Sequence, residues 1–130
     1  YLLLSASAYG KLKMKLVDEQ EIVMNLADIL AEAYITDSLL ARVKKLRETS
    51  KDKEALDVQE KLLKLYLHEA LARDRKAGKD AIASFEGAGY ISVAFNLLTK
   101  EYSINPKELR RAVADYGIKK NWYPFIGITV

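Results

Sequence analysis

The sequence predicts an all-α protein: an up-down antiparallel helical bundle with two long central helices and an irregular C-terminal tail. Apolar residues recur at helical spacing through residues 17–47 and again through residues 54–85, and neither stretch contains a proline. A short polar loop, residues 49–53, joins the two stretches, and short links between long helices favour antiparallel neighbours. In this loop, Ser50 or Asp52 can cap the second long helix. No alternating apolar and polar run indicates a strand.

The first long helix carries the broadest apolar pattern in the chain. Asp18 followed by Glu21 resembles a capping box, so the helix is expected to begin there. Asp28 and Glu32 fall on the polar side of the helix and are predicted to be solvated. One apolar stripe is predicted to face the core: Ile22, Leu26, Ile29, Leu30, Ala33, Tyr34, Leu40, Ala41 and Val43.

Two shorter helices are predicted on either side of the long pair in the sequence. The first covers residues 2–15, where apolar residues share one face. The other covers residues 90–102 and follows a break at two glycines. Its core residues are predicted to be Val93, Leu97 and Leu98.

The last helix, residues 106–116, has the clearest local signals for its ends. Asn105 is expected as its N-cap, and Pro106 suits the first helical position because its fixed φ already matches a helix. Gly117 is expected to end the helix. Residues 117–130 are then predicted to form the irregular, aromatic tail.

Composition limits the classes of function that the chain can have. It has 130 residues, no cysteine and a net charge of +3, so residues 1–130 are predicted to form a single helical domain without disulfides. The charge is too small to favour nucleic acid as a partner. No apolar run has the length of a membrane span, and a cytoplasmic location is predicted. Because Tyr1 lies inside the first apolar pattern, the domain is expected to be a fragment of a larger chain.

No residue set predicts a catalytic, cofactor-binding or metal-binding site. His68-Glu69 begins like the zinc motif H-E-x-x-H, but Ala72 occupies the position of the second histidine and His68 is the single histidine of the chain. Asp28 and Glu32 lie one turn apart, which is also the ordinary spacing of solvated helix charges. We therefore assign no catalytic residue, no cofactor ligand and no metal ligand.

Apolar residues near both ends of the chain are predicted to form an interface. They are Leu2, Leu3 and Tyr9 of the first helix with Trp122 and Phe125 of the tail. An exposed apolar patch of this kind marks contact with another domain or a second subunit, so a homodimer is expected. The lysines that precede the aromatic tail are also typical of an anchor to a membrane surface. A tail that simply covers the core is the alternative.

Three runs resemble the C-terminal helical extension of acyl-CoA dehydrogenases of the long-chain and very-long-chain type, including bacterial relatives. The runs are LADI-x-x-E at residues 26–32, SLLAR at 38–42 and LRRAVADY at 109–116, and the resemblance covers roughly residues 12–116. It implies a parent chain whose catalytic domain binds FAD and dehydrogenates an acyl-CoA thioester. Neither the flavin-binding part nor the catalytic glutamate of that family is found in this sequence, so no residue here is assigned to FAD.

Two functions are consistent with these observations. The resemblance implies a non-catalytic accessory domain of an acyl-CoA dehydrogenase, an oxidoreductase of fatty acid metabolism. Its partners would be the catalytic domain of the parent chain, a second subunit and, as in the membrane-associated members of the family, a membrane surface. The alternative is an independent helical adaptor that binds a partner helix or an anionic surface. A reading frame that continues upstream of Tyr1 into a catalytic domain favours the first function, and a start codon near Tyr1 favours the second.

Overall fold

Five α-helices form the described part of the chain, which comprises residues 1–85, 89–100 and 102–121 of a computed structural model. These ranges contain no strand, so the predicted all-α class is confirmed. The two long helices, of 30 and 33 residues, pack against each other as predicted. The first and second helices are connected by a short 3₁₀ helix over Lys13–Val17. The helices are α1 (Leu2–Leu12), α2 (Gln20–Thr49), α3 (Lys53–Phe85), α4 (Tyr90–Leu98) and α5 (Pro106–Lys120).

The chain divides into two compact units. Unit 1 comprises Tyr1–Ile35 and Ala70–Tyr102, and unit 2 comprises Thr36–Glu69 and Ser103–Val130. Helices α2 and α3 each contribute residues to both units. The single domain over residues 1–130 and the larger parent chain stay predictions.

Unit 1 has a core to which α1, α2, α3 and α4 all contribute. Leu4 and Ala8 lie one turn apart on α1 and are both almost fully buried, and α1 also packs against α4. Burying a leucine or isoleucine side chain of this kind contributes about 1.5–3 kcal/mol. The buried core residues are Leu4, Ala8, Ile22, Leu26, Ile29, Ala81, Ile82, Ile91 and Phe95.

Unit 2 combines a smaller set of buried side chains with ion pairs between its helices. Its buried apolar residues are Val43, Leu46, Val58 and Tyr116. Arg47 Nε donates a hydrogen bond to Glu60 Oε1 at 2.6 Å. This pair joins the end of α2 to the beginning of α3, as expected for antiparallel helices that are linked by a short loop.

Ion pairs attach both ends of α5 to α3 within unit 2. Arg110 Nη2 lies 2.7 Å from Glu69 Oε1, and Lys119 Nζ lies 2.6 Å from Glu54 Oε1. Because the beginning of α5 meets a later turn of α3 and its end meets the first turn, the two helices run antiparallel. The side chains of these pairs are largely exposed, so each pair contributes little by itself.

Two helix starts confirm the predicted caps. Asp52 Oδ1 accepts a hydrogen bond from the backbone N–H of Ala55 at 3.0 Å, at the start of α3. Asn105 Oδ1 accepts one from the N–H of Glu108 at 3.3 Å, and Pro106 follows it as the first residue of α5. Each cap satisfies a donor that has no partner inside the helix.

The first two helices have different ends from those predicted. Helix α1 ends at Leu12, three residues early, because Lys13 has a φ of 50° that does not continue a right-handed helix. Helix α2 begins at Gln20, where the main-chain oxygen of Glu19 accepts the first helical hydrogen bonds. The predicted start at a cap on Asp18 is therefore wrong.

Helix α4 is shorter than predicted, and α5 is longer. Helix α4 ends at Leu98, and α5 continues through Gly117 to Lys120. It stops at Asn121, which adopts the left-handed conformation with a φ of 54° that asparagine tolerates better than most residues. The predicted irregular tail is therefore wrong for its first four residues, and its residues 122–130 lie outside the described part of the chain.

Helix α2 has apolar residues on two faces. The single apolar stripe that the sequence predicts combines residues from both faces, so only part of it is buried. The stripe residues that are buried are Ile22, Leu26, Ile29 and Val43. The stripe residues that are exposed are Leu30, Ala33, Tyr34, Leu40 and Ala41. Tyr34, for example, keeps 75% of its surface accessible. When apolar residues lie on two faces of one helix, helical spacing alone does not indicate which face is buried.

Candidate interface surfaces

The outer face of α1 carries two of the residues that the sequence predicts as an interface. Because Leu4 and Ala8 face the core, Leu2 and Tyr9 point outward and are 78% and 61% exposed. Leu3 is half-buried and packs against the core of unit 1. The exposure of Leu2 and Tyr9 is what an interface requires, but no partner is present and the interface stays a prediction. The other two predicted residues, Trp122 and Phe125, lie outside the described part of the chain.

Helix α4 presents a second apolar surface in the same unit. Ile91 and Phe95 are buried in the core, whereas Tyr90, Val93 and Leu97 are each more than 70% exposed. These exposed positions are three and four residues apart, so they lie on one face of the helix. The helix contains no charged residue, and its sequence is YISVAFNLL. A helix that is apolar on all sides is normally covered on all sides.

Because this face of α4 points outward, the core residues that the sequence predicts for the helix are wrong. Val93, Leu97 and Leu98 are predicted to be buried, and their side chains are 71%, 75% and 73% exposed. Ile91 and Phe95 occupy the core instead. Helical spacing is compatible with burial of either face of so apolar a helix. Which face is buried therefore depends on the elements that pack against the helix. The absence of charged residues in α4 was the available signal that helical spacing alone could not identify its buried face.

The clearest electrostatic cluster in unit 1 lies between α2 and α3. Arg73 Nε donates a hydrogen bond to Glu32 Oε1 at 2.6 Å, and the Glu32 side chain is only 17% exposed. The prediction that Glu32 is freely solvated is therefore wrong. The neighbouring Asp74 has a pKa raised to about 6, first because burial penalises its charge and next because the Glu32 carboxylate lies close. These side chains line an open groove of about 310 Å³.

This cluster has the features of a structural ion-pair network. Perturbed carboxyl pKa values occur at catalytic sites and also in such networks, so the pKa of Asp74 alone does not indicate catalysis. Among the described residues, no three histidine, cysteine, aspartate or glutamate side chains are grouped so that they could hold a metal ion. His68, the single histidine, is half-buried on α3 in the other unit. The expectation that this chain has no catalytic residue stays a prediction.

Comparison with protein families decides which class of protein these surfaces belong to. The family model described as "Acyl-CoA dehydrogenase, C-terminal domain" matches residues 1–100. The chain belongs to this acyl-CoA dehydrogenase family. The match includes α1 to α4 and therefore both exposed apolar faces of unit 1, whereas α5 and the LRRAVADY run lie beyond it. No curated protein and no solved structure matches the chain.

Membership of the acyl-CoA dehydrogenase family implies FAD for the family in general. The apolar groove in unit 2, lined by Leu39, Leu62 and Tyr66 among others, does not fit this cofactor, because Arg42 is the single cation among its lining residues. The pyrophosphate of FAD needs several donors that converge on it. No step of flavin chemistry is assigned to residues of this domain.

None of the helices in the described ranges combines the length and the apolar composition that crossing a bilayer requires.

Proposed function

We propose that this chain is a non-catalytic C-terminal accessory domain of an FAD-dependent acyl-CoA dehydrogenase of the long-chain or very-long-chain type. The observation that carries the proposal is the family match over residues 1–100. The description of that family as a C-terminal domain supports a position behind the catalytic part of an acyl-CoA dehydrogenase chain. In this proposal the flavin and the catalytic base belong to the preceding part of the parent chain.

The partner of the domain is the catalytic part of the same parent chain, and the contact surface is the outer face of unit 1. Tyr90, Val93 and Leu97 of α4 supply an uncharged apolar surface, and Leu2 and Tyr9 of α1 extend it. Burying such side chains stabilises an interface by about 25 cal/mol per Å² of apolar surface removed from water. The domain would thus stiffen the parent enzyme and support its subunit contacts.

The remaining partner and location proposals follow from the same parent protein. The enzyme would be a cytoplasmic homodimer whose subunit or membrane-surface contacts include this domain. Nucleic acid is not proposed as a partner, because the net charge of +3 is small for a chain of this length.

The proposed contact is tested in the parent enzyme with two variants of adjacent residues. Leu97→Asp places a charge in the apolar α4 face, and the control Asn96→Asp places the same charge at the neighbouring exposed position. We expect Leu97→Asp to lower the melting temperature of the parent and to increase proteolysis between its parts, with the flavin spectrum retained. The control should behave like the wild type. Equal behaviour of the two variants would contradict the proposed contact.

The non-catalytic role is tested with the purified 130-residue chain itself. We expect a colourless preparation that does not transfer electrons from an acyl-CoA to a flavin acceptor. A yellow preparation that contains one FAD per chain would overturn the accessory-domain proposal.

The alternative function, an independent helical adaptor, is supported by the same exposed α4 face. An apolar helix surface of this kind also fits the groove or helix of another protein. The natural polypeptide distinguishes the two proposals by its mass. A polypeptide that contains a flavoprotein part supports the accessory domain, and one of about 15 kDa supports the adaptor.

A further inference from the structure

We propose that α2 pairs antiparallel with α2 of a second copy of this chain, through the helix face that points away from its buried residues. The inference goes beyond the proposed function, which assigns no part of the subunit contact to α2. It is tested on the 130-residue chain, so its failure would leave the family-based proposal intact. The outer α2 face is formed by Val23, Ala27, Leu30, Tyr34, Ser38 and Ala41, which are all exposed.

The outer α2 face is long and carries no charge. Its residues follow one another at intervals of three or four, so they form one stripe that rises by about 27 Å. Val23, Leu30 and Tyr34 are 43%, 48% and 75% exposed. The face of a helix opposite its core is normally polar or charged, so an apolar stripe on that face favours contact with another helix.

The charges of α2 divide the helix into an acidic first part and a basic second part. Residues 20–37 contain four acidic residues and no basic one, whereas residues 38–49 contain four basic residues and a single acidic one. Glu32 and Arg47 pair within the chain, with Arg73 and Glu60. The exposed charges that remain for a partner are Glu21, Asp28 and Asp37 in the first part and Arg42, Lys44 and Lys45 in the second.

This division of charge determines the direction of the second helix. In a parallel pair, each part of α2 would lie beside its own copy, and like charges would repel each other. In an antiparallel pair, the acidic part of each helix lies beside the basic part of the other, so both ends of the contact are complementary. A contact that uses the same face of both copies is closed by a two-fold axis, the commonest symmetry of soluble dimers.

The register follows from the order of residues along the outer α2 face. With the two-fold axis at Tyr34, the tyrosine rings of the two copies meet, and Ala27 lies opposite Ala41 of the second copy. These small side chains allow the two helices to approach closely. Asp28 and Arg42 border the same side of the face, because 14 residues are nearly four full turns. In this register each of them lies within one turn of the other in the second copy.

Asp28 and Arg42 supply the first test, because they cannot reach each other within one chain. Their separation along α2 is about 21 Å. Arg42→Glu and Asp28→Arg each place like charges together and should each raise the dissociation constant of the dimer severalfold in sedimentation equilibrium. The double variant exchanges the two charges and should restore the wild-type value. A double variant that dimerises no better than the single variants, or a wild-type chain that stays monomeric at millimolar concentration, would overturn the proposal.

Two exposed tyrosines provide a matched pair for the apolar part of the contact. Tyr34→Glu brings two carboxylates together at the two-fold axis and should abolish the dimer, with the helical circular dichroism retained. Tyr9→Glu makes the same change on α1, where the side chain is 61% exposed, and should leave the dissociation constant unchanged. Equal effects of the two variants would place the contact elsewhere and overturn the proposal.

Disulfide trapping tests the antiparallel direction, because the chain has no cysteine of its own. Ala27→Cys and Ala41→Cys place thiols that face each other only across an antiparallel pair, and a disulfide requires such close approach. Oxidation of an equal mixture should give the mixed disulfide dimer, whereas each variant alone should form few covalent dimers. Preferential linking of each variant to itself would indicate a parallel pair and overturn the proposal. Absence of the mixed dimer would also overturn it.

Discussion

The backbone of Gly78 in α3 lies directly against the ring of Phe95 in α4. A β-carbon at position 78 would stand 2.1 Å from Cζ of this ring, closer than any real side-chain contact. Gly78 and Phe95 are both buried within unit 1. The absence of a side chain at Gly78 thus allows Phe95 to anchor α4, and this anchoring directs Val93 and Leu97 outward.

Gly78→Ala is expected to destabilise the chain although alanine favours helices. The added methyl group has to displace the Phe95 ring, and overpacking of this kind costs roughly 1–3 kcal/mol. Gly117→Ala is the control, because a β-carbon there meets nothing within 4 Å and should stabilise α5 by about 0.5–1 kcal/mol. Urea unfolding measures both changes. A Gly78→Ala variant as stable as Gly117→Ala would contradict the packing of α4 on α3.

The raised pKa of Asp74 predicts that the stability of the fold depends on pH. Its carboxyl has a pKa of about 6 in the folded chain and an ordinary value of 3.8, so the folded state binds more protons between these pH values. The free energy of unfolding therefore falls as the pH rises from about 4 to about 6. Asp74→Asn should stabilise the chain at pH 7.5 and lose this advantage near pH 3.5.

The expected gain from Asp74→Asn is on the order of 1 kcal/mol, because Asp74 is only half-buried and solvent screens its charge. Asp115→Asn, at an exposed position of α5, removes the same charge and serves as the control. Unfolding titrations at several pH values give the difference. A parallel pH dependence of the two variants would contradict the burial of Asp74.

Ion pairs of unit 1 should differ in strength according to their burial. Glu32 is 17% exposed in its pair with Arg73, whereas Lys76 and Asp80 are 80% and 50% exposed in theirs. Double-mutant cycles with alanine should give a coupling of about 1 kcal/mol or more for the first pair. They should give no measurable coupling for the second pair. The reverse order would show that the Glu32 carboxylate is solvated after all.

Removal of the N-cap of α5 is expected to destabilise the start of this helix. Asn105→Ala removes the acceptor for the N–H of Glu108 and should cost about 1 kcal/mol. Ser103→Ala, two residues earlier and exposed, is the matched control. Hydrogen exchange of the first-turn amides of α5 should accelerate in the first variant alone. Unchanged exchange would mean that Pro106 by itself is sufficient to start the helix.

The sequence predicts the helices of this chain better than it predicts their buried faces. Proline-free apolar stretches, an asparagine before Pro106 and an aspartate before α3 are local signals, and the structure follows them. The outward orientation of Val93 and Leu97 depends instead on the contact between Phe95 and Gly78. That contact joins two helices, and no spacing within α4 indicates it.

The candidate site was predictable only in part for the same reason. Leu2 and Tyr9 could be named because their helix is weakly polar and lies at the start of the chain. The pKa of Asp74 is raised first by burial and next by Glu32, and both follow only after α2 and α3 pack. The sequence also favours the acyl-CoA dehydrogenase family through packing patterns, whereas membership rests on the match over residues 1–100.

The most direct test of a covered α4 face is hydroxyl-radical footprinting of the natural polypeptide as purified from its source. In the 130-residue chain, Tyr90 and Leu97 are 77% and 75% exposed and should be oxidised readily. If the natural protein is an acyl-CoA dehydrogenase that packs against this face, both residues should be protected severalfold relative to the isolated chain. Oxidation of Tyr90 and Leu97 at equal rates in the two samples would contradict the accessory-domain account.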